Sequence, residues 1–135
     1  MNYWLLKSEP NAYSWDDLIN DKKTPWDGVR NYQARNNMKD MNVGDMALFY
    51  HSVNEKSVVG VAKITSEFYQ DPTTDDERWV VVDVEPEYKL KKPIHLSQIK
   101  ADERLSDMVL VNNSRLSVQP VRKEEFDIII GLSEE

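Results

Sequence analysis

The sequence predicts an α+β fold: a curved β-sheet or barrel of about five to six strands with short helices covering its ends. Three observations lead there. Segments with strand character outnumber helical ones, which are short and scattered. The 135 residues contain no internal repeat, linker or low-complexity stretch, so a single domain over residues 1–135 with one sizeable core is expected. Gly60 interrupts a long apolar run, marking a bulge or barrel bend. A sandwich is the alternative topology, and strand order is not legible.

Each element has a local reason. Asn2 to Lys7 reads as a buried strand, since Tyr3, Trp4, Leu5 and Leu6 are consecutive apolar residues and Pro10 stops propagation. Ser14 is placed to cap a short helix over Trp15 to Asn20. Asp17 sits at the third helical position, and Tyr13 and Leu18 form a hydrophobic staple. Asn31 is placed to cap a second helix, Tyr32 to Met41, whose Ala34, Met38 and Met41 face the core. After a turn at Asn42–Asp45, strands are expected over Met46–Ser52, Ser57–Tyr69 and Trp79–Tyr88, with Val80, Val82 and Val84 on one face of the last. Pro93 and Ser97 bracket a connection, and Leu96 to Met108 holds one or two short helices. Arg115 to Val118 returns as a strand. Lys123 to Ile130 is a terminal helix stopped by Gly131, with Phe126, Ile129 and Ile130 inward. Trp4 and Trp79 are assigned to the core, and the acidic run Asp71–Glu77 to a solvated loop.

Composition narrows the function. There is no Cys, so disulfides and thiolate chemistry are excluded, and no apolar run is long enough to span a bilayer. The start of the chain lacks a signal-peptide pattern. A cytoplasmic protein is expected, or an intracellular one, with the nucleus open to it, in a nucleated cell. The net charge of −7 opposes strong nonspecific binding to nucleic acid. The acids, however, cluster at Asp16–Asp17, Asp71–Glu77, Glu124–Glu125 and Glu134–Glu135. Lys7, Arg30, Arg35 and Arg115 stand free of acidic neighbours and could form a positive mouth on an acidic body.

Enzyme and metal motifs are missing: no G-x-G-x-x-G, no H-E-x-x-H, no G-x-S-x-G, and only two histidines in unlike contexts. No metal or cofactor is expected. The distinctive stretch is Thr24 to Met38, TPWDGVRNYQARNNM, polar and aromatic between two strand patterns. Trp26 offers a π face on which a base could stack, worth about 1–3 kcal/mol. Asn31 and Ser8 could contact a base edge. Lys7, Arg30, Arg35 and Arg115 could hold phosphates, helped by the positive helix end at Asn31. Each residue also has a plainer reading. Trp26 could close the edge of the core, Asn31 could be only a cap, and Ser8 only a turn residue. His51 could be a hydrogen-bonded structural histidine, and Arg115 could pair with a surface acid.

Taken together, YWLLKSEP (Tyr3–Pro10), YSWDDL (Tyr13–Leu18), TPWDGVRNYQARN (Thr24–Asn36), GDMALFYHS (Gly44–Ser52), VVGVAK (Val58–Lys63) and RLSVQPV (Arg115–Val121) resemble the EVE-domain family over nearly the whole chain. The resemblance implies a PUA-like fold, related to the YTH, ASCH and SRA domains. It also implies a module that reads a modified nucleobase, such as modified cytosine in DNA or a modified RNA base, without catalysis. The implied pocket is Ser8, Trp26, Val29, Asn31, Tyr32, His51 and Ser52. Lys7, Arg30, Arg35, Arg115 and Ser117 would lie at its phosphate-binding rim. Modified DNA or RNA is the expected partner of a monomer that engages no membrane, and the acidic surface leaves room for protein partners. The absence of a basic arm argues against high affinity for naked duplex. The alternatives are an enzyme using His51 with Glu9 or Asp27, and a metabolite or protein-interaction sensor.

Overall fold

The computed structural model describes residues 1–135. Its elements run β1 (Tyr3–Ser8), α1 (Trp15–Asp21), β2 (Thr24–Pro25), α2 (Tyr32–Lys39), β3 (Met46–His51), β4 (Ser57–Ile64), β5 (Tyr69–Gln70), β6 (Val80–Val81), β7 (Asp83–His95), α3 (Leu96–Ala101), a 3₁₀ turn (Glu103–Leu105), α4 (Val109–Asn112), β8 (Val118–Val121) and α5 (Lys123–Ser133). Six strands form one curled, half-barrel sheet in the order β2-β7-β4-β3-β1-β8, and β5 and β6 make a separate ribbon. The β1–β3 pair is parallel, with Tyr3 opposite Met46 and Ser8 opposite His51. The other pairs in the sheet are antiparallel.

The central strands β3 and β4 are buried along almost their whole length, Met46 and Lys63 being half-buried, because both faces of the sheet are covered. Trp4 and Leu6 of β1 face one cluster with Trp15, Trp26, Met38 and Phe49. Leu5 faces the other, with Leu48, Ile94, Phe126 and Ile129. Asp45 ties the start of β1 to the turn before β3. Its buried carboxylate accepts from the Trp4 indole at 3.0 Å, from Asn2 N–H at 3.1 Å and from Asn42 N–H at 3.0 Å. Helix α1 begins as the sequence reads: Ser14 Oγ accepts from Asp17 N–H, and the Asp17 carboxylate accepts from Ser14 N–H. Helix α2 likewise starts with the Asn31 side chain accepting from Ala34 N–H at 2.9 Å.

Several boundaries differ from expectation. The strand expected over Ser57–Tyr69 ends at Ile64. The one expected over Trp79–Tyr88 divides into β6 and the 13-residue β7, so Pro93 lies within a strand and not in a connection. The return strand sits at Val118–Val121. Gly131 is inside α5, which runs on to bury Ser133. The edge strand β2 was not anticipated. Trp79 is half-buried on the surface, outside both core clusters. Asp71, at the head of the acidic run, is fully buried.

Gly60 has two structural reasons. The pairing of β4 slips beside it, between Phe49 and Tyr50 on one side and between Val58 and Gly60 on the other. The Trp15 ring also lies flat over it, so an added Cβ would meet ring carbons at 2.6–2.7 Å. Trp15 in turn packs edge-on to Phe49 at 5.4 Å, beneath the segment that leads to Trp26. Gly60→Ala is therefore expected to destabilise the fold by about 1–3 kcal/mol through overpacking. A urea titration would show a lower midpoint at an unchanged slope; a wild-type midpoint would mean that Trp15 moves aside freely.

Candidate functional site

The loop between β2 and α2 is held by bonds from outside itself. Thr24 and Pro25 pair with Val84 and Asp83 on the edge of the sheet, where a proline costs no ladder bond. Trp26 N–H donates to Val82 O at 2.8 Å. Gly28 then turns the chain at φ 77°, a conformation that glycine adopts without strain. Gly28 N–H and Arg30 Nη1 both donate to Asp71 Oδ2 at 3.0 Å. The other Asp71 oxygen accepts from Thr73 N–H at 2.8 Å and from the Thr73 hydroxyl at 2.6 Å. Burial alone would raise the pKa of this carboxyl. The bonds from Thr73, Gly28 and Arg30 outweigh burial and lower it to about 2.

The result is a cavity of about 450 Å³ with Trp26 in its wall. The indole is only 8% exposed. It is fixed edge-to-face against Phe49 at 5.5 Å and Tyr13 at 6.2 Å, so its open part is rigid. The end of β1 supplies Lys7, Ser8 and Glu9; the α1 approach supplies Ala12 and Tyr13; the loop supplies residues 24–30; and Ser117 closes the far side. The Lys7 ammonium donates to Ser114 O at 2.6 Å, and burial lowers its pKa. Ser8 Oγ donates to Tyr13 O, which leaves its oxygen as an acceptor. Tyr13 donates to Asp21 at 2.9 Å. Burial first, and this bond second, push its hydroxyl up to about 12, so it remains neutral. The carboxylates of Glu9 and Asp27 stand at the cavity without an ion pair.

Of the residues singled out in the sequence, the structure gathers Lys7, Ser8, Trp26, Val29, Arg30 and Ser117 around this cavity. Asn31 is outside, its carboxamide oxygen engaged as the α2 cap. Tyr32 is half-exposed and lies against Trp79, with ring centroids 5.2 Å apart. Arg35 covers Tyr32 at 5.0 Å. His51 is buried: its Nε2 accepts from Trp15 N–H at 3.0 Å, so the other nitrogen carries the proton and donates to Glu55 at 2.9 Å. Ser52 lines a separate hollow of about 170 Å³ beside Glu55. Arg115 is exposed and forms no ion pair.

Sequence reasoning missed Asp71, the residue that sets the loop. One signal was present. Asp71-Pro72-Thr73 is a turn sequence in which an Asp side chain accepts from the N–H two residues on, and that bond is observed. The bonds back to Gly28 and Arg30 span more than forty residues and leave no local trace.

The EVE domain family model matches residues 2–132. Thymocyte nuclear protein 1 of Mus musculus is 39% identical, over 98% of this chain and 74% of its own length. Protein Atu2648 from Agrobacterium tumefaciens superposes with a TM-score of 0.95 at 40% identity, covering 98% of this chain and 93% of that one. The human THYN1 protein, solved in complex with DNA containing 5-methylcytosine, superposes with a TM-score of 0.92 at 36% identity, covering 100% and 99% of the two chains. The curled sheet with its flanking helices is thus the PUA-like architecture of that protein.

The Asp71 carboxyl fixes a pH dependence. Its pKa is about 2 in the folded chain, against an ordinary 3.8. The stabilisation, about 2 kcal/mol, is therefore complete above about pH 4 and lost as pH falls through the folded value. Asp71→Asn is expected to be less stable than wild type at pH 7 by about that amount, with the gap closing toward pH 2. Thermal or urea unfolding across this range measures it; parallel profiles for the two proteins would remove Asp71 from its role.

Proposed function

The chain belongs to the EVE-domain family, and on that premise we propose that its Trp26 cavity takes up one modified base of a DNA strand, 5-methylcytosine in the first instance, and performs no chemistry on it. The observation that carries this reading is the pre-set indole in the wall of a cavity that also holds Lys7, Arg30 and Ser117. A heterocycle entering there gains stacking worth about 1–3 kcal/mol. It spends little on ordering the receptor, because the ring is already locked by Phe49 and Tyr13. Lys7, beside it, suits a phosphate of the same nucleotide. The free acceptors, Ser8 Oγ and the Asp27 carboxylate, suit an edge that presents an amino group, as cytosine does at N4. The fit to an amino-bearing pyrimidine is the chemical reason to carry the human protein's ligand over to this chain.

Extracting a paired base costs a few kcal/mol, so stacking, phosphate contacts and edge contacts must together exceed that. The methyl group itself contributes only about 0.8 kcal/mol when buried, or about fourfold in affinity. The reading therefore expects modest discrimination on top of general affinity for the strand. The alternative, catalysis by His51, finds no support in the geometry. Both ring nitrogens are engaged by Trp15 and Glu55, and neither Glu9 nor Asp27 is a partner. The cavity volume is ample for a nucleotide, which favours a base over a smaller metabolite.

Duplexes carrying one 5-methylcytosine or one cytosine, titrated at fixed salt, decide the matter. Wild type is expected to favour the methylated duplex by about fourfold. Trp26→Ala should weaken both complexes at least tenfold. Because the indole also supports the core, Trp26→Phe is the companion variant: it should stay folded and still lose affinity through its smaller ring. Equal affinities for both duplexes across wild type and both variants would refute base capture.

A further inference from the structure

From the cavity rim outward along α2, four cations pair with three aromatic rings. This band starts at Arg30, which lines the cavity and also lies over the Trp79 ring at 5.6 Å. Arg78 lies over the same ring at 5.8 Å and donates to the Tyr32 hydroxyl at 3.0 Å. Tyr32 leans on Trp79 and carries Arg35 on its other side. One turn further along α2, Lys39 sits over Phe68 at 5.6 Å. Tyr32, Arg35 and Lys39 fall at spacings of three and four, so they share one face of the helix. Tyr32 is 51% and Phe68 44% exposed.

The charges in the band differ in kind. Arg30 and Arg78 are each neutralised, by Asp71 at 3.0 Å and by Asp76 at 2.6 Å. Arg35 and Lys39 have no carboxylate within reach. Lys39 is held by the Phe68 ring, and Arg35 by the Tyr32 ring together with two bonds that its guanidinium donates to Asn36 Oδ1 at 3.1 and 2.7 Å, which limits the rotamer freedom that a surface cation otherwise loses on binding. The four residue steps of α2 from Arg35 to Lys39 cover about 6 Å, close to the spacing of neighbouring phosphates along one strand.

We propose that this band is the track for the DNA strand flanking the captured base, with Arg35 and Lys39 as its phosphate contacts and Tyr32, Trp79 and Phe68 as the plates that hold the cations in place. The strand leaves the cavity past Arg30 and follows α2 toward Lys39. An acidic protein thereby presents a local positive strip at the one mouth where a polyanion must arrive. This rests on the base-capture reading, but it concerns different residues and a different observable.

The test measures fluorescence anisotropy with the full chain and duplexes carrying one 5-methylcytosine or one cytosine, from 50 to 200 mM salt. Variants are Arg35→Gln/Lys39→Gln and Trp26→Phe, each checked for wild-type unfolding behaviour. Removing two phosphate contacts should reduce the slope of log affinity against log salt by about 1.8, so that the loss of affinity is about tenfold larger at the low-salt end of the range than at the high-salt end. The methylated-to-unmethylated ratio should stay at the wild-type value. An unchanged slope and affinity in the double variant, with Trp26→Phe still impaired, would overturn the track and leave base capture standing. A reduced slope in the double variant with no effect of Trp26→Phe or of methylation would support the track and remove base capture. No DNA binding by wild type would overturn both.

Discussion

The site depends on one buried carboxylate. Asp71 reaches across from the β5–β6 ribbon and accepts from the backbone of Gly28 and the side chain of Arg30. Without it, the loop would be left with the short β2 pairing, the backbone bond at Trp26 and the long bond from Arg30 Nη2 to Thr73 Oγ1 at 3.4 Å. A carboxylate removed from water is costly unless its lone pairs are filled. Here they are filled by two donors on each oxygen, so the same burial that would penalise the charge makes each bond strong. One anion thus sets the backbone turn at Gly28 and aims the guanidinium that joins the cavity to the outer band.

The second constraint is topological. The parallel pairing of β1 with β3 lays Ser8 beside His51, at the same end of the sheet. His51 accepts from Trp15 N–H and thereby anchors the start of α1, while Ser8 anchors Tyr13 just before it. The segment that walls the cavity opposite the Trp26 loop is therefore pinned at two points by strand ends. His51 matters to the site as a brace for its wall, which explains how a residue of a plausible recognition motif can lie outside the cavity.

Local physics was legible in the sequence, and long-range physics was not. The Ser14–Asp17 capping pair, the Asn31 cap and the apolar runs of β1 and β3 follow from residues within a few positions of one another, and the structure has them at those positions. Elements whose limits depend on distant partners went astray. Strand β2 exists because β7 offers an edge, and β6 parts from β7 because Val80 and Val81 pair with Gln70 and Tyr69. Asp71 looked like one acid in a solvated run, because its donors lie far away in sequence. Trp79 looked like core because large aromatics usually are; it is instead one plate in a surface stack with its own neighbour Arg78 and with Arg30 and Tyr32, more than forty residues earlier. The family motif located the cavity neighbourhood, yet composition and spacing could not say which of its polar residues face inward.

A net charge of −7 and the proposed DNA binding are compatible because the two act over different distances. At physiological ionic strength, exposed charges are screened beyond about 8 Å. A strand lying along α2 therefore responds mainly to the cations under it, while the acids at Asp16–Asp17, in α5 and at the C-terminal end are attenuated. Asp71 and Asp76 are already paired with Arg30 and Arg78 and act as fixed partners, while the exposed Asp40, Glu67, Asp75 and Glu77, close in sequence to members of the band, form no ion pair and leave Arg35 and Lys39 as the strip's free cations. An acidic body also weakens contacts at the acidic parts of the surface, where a duplex meets like charge. In the proposed complex, selectivity for one docking pose comes from where the positive charge is allowed, and the small energy of a methyl group has to discriminate only among complexes already held in register.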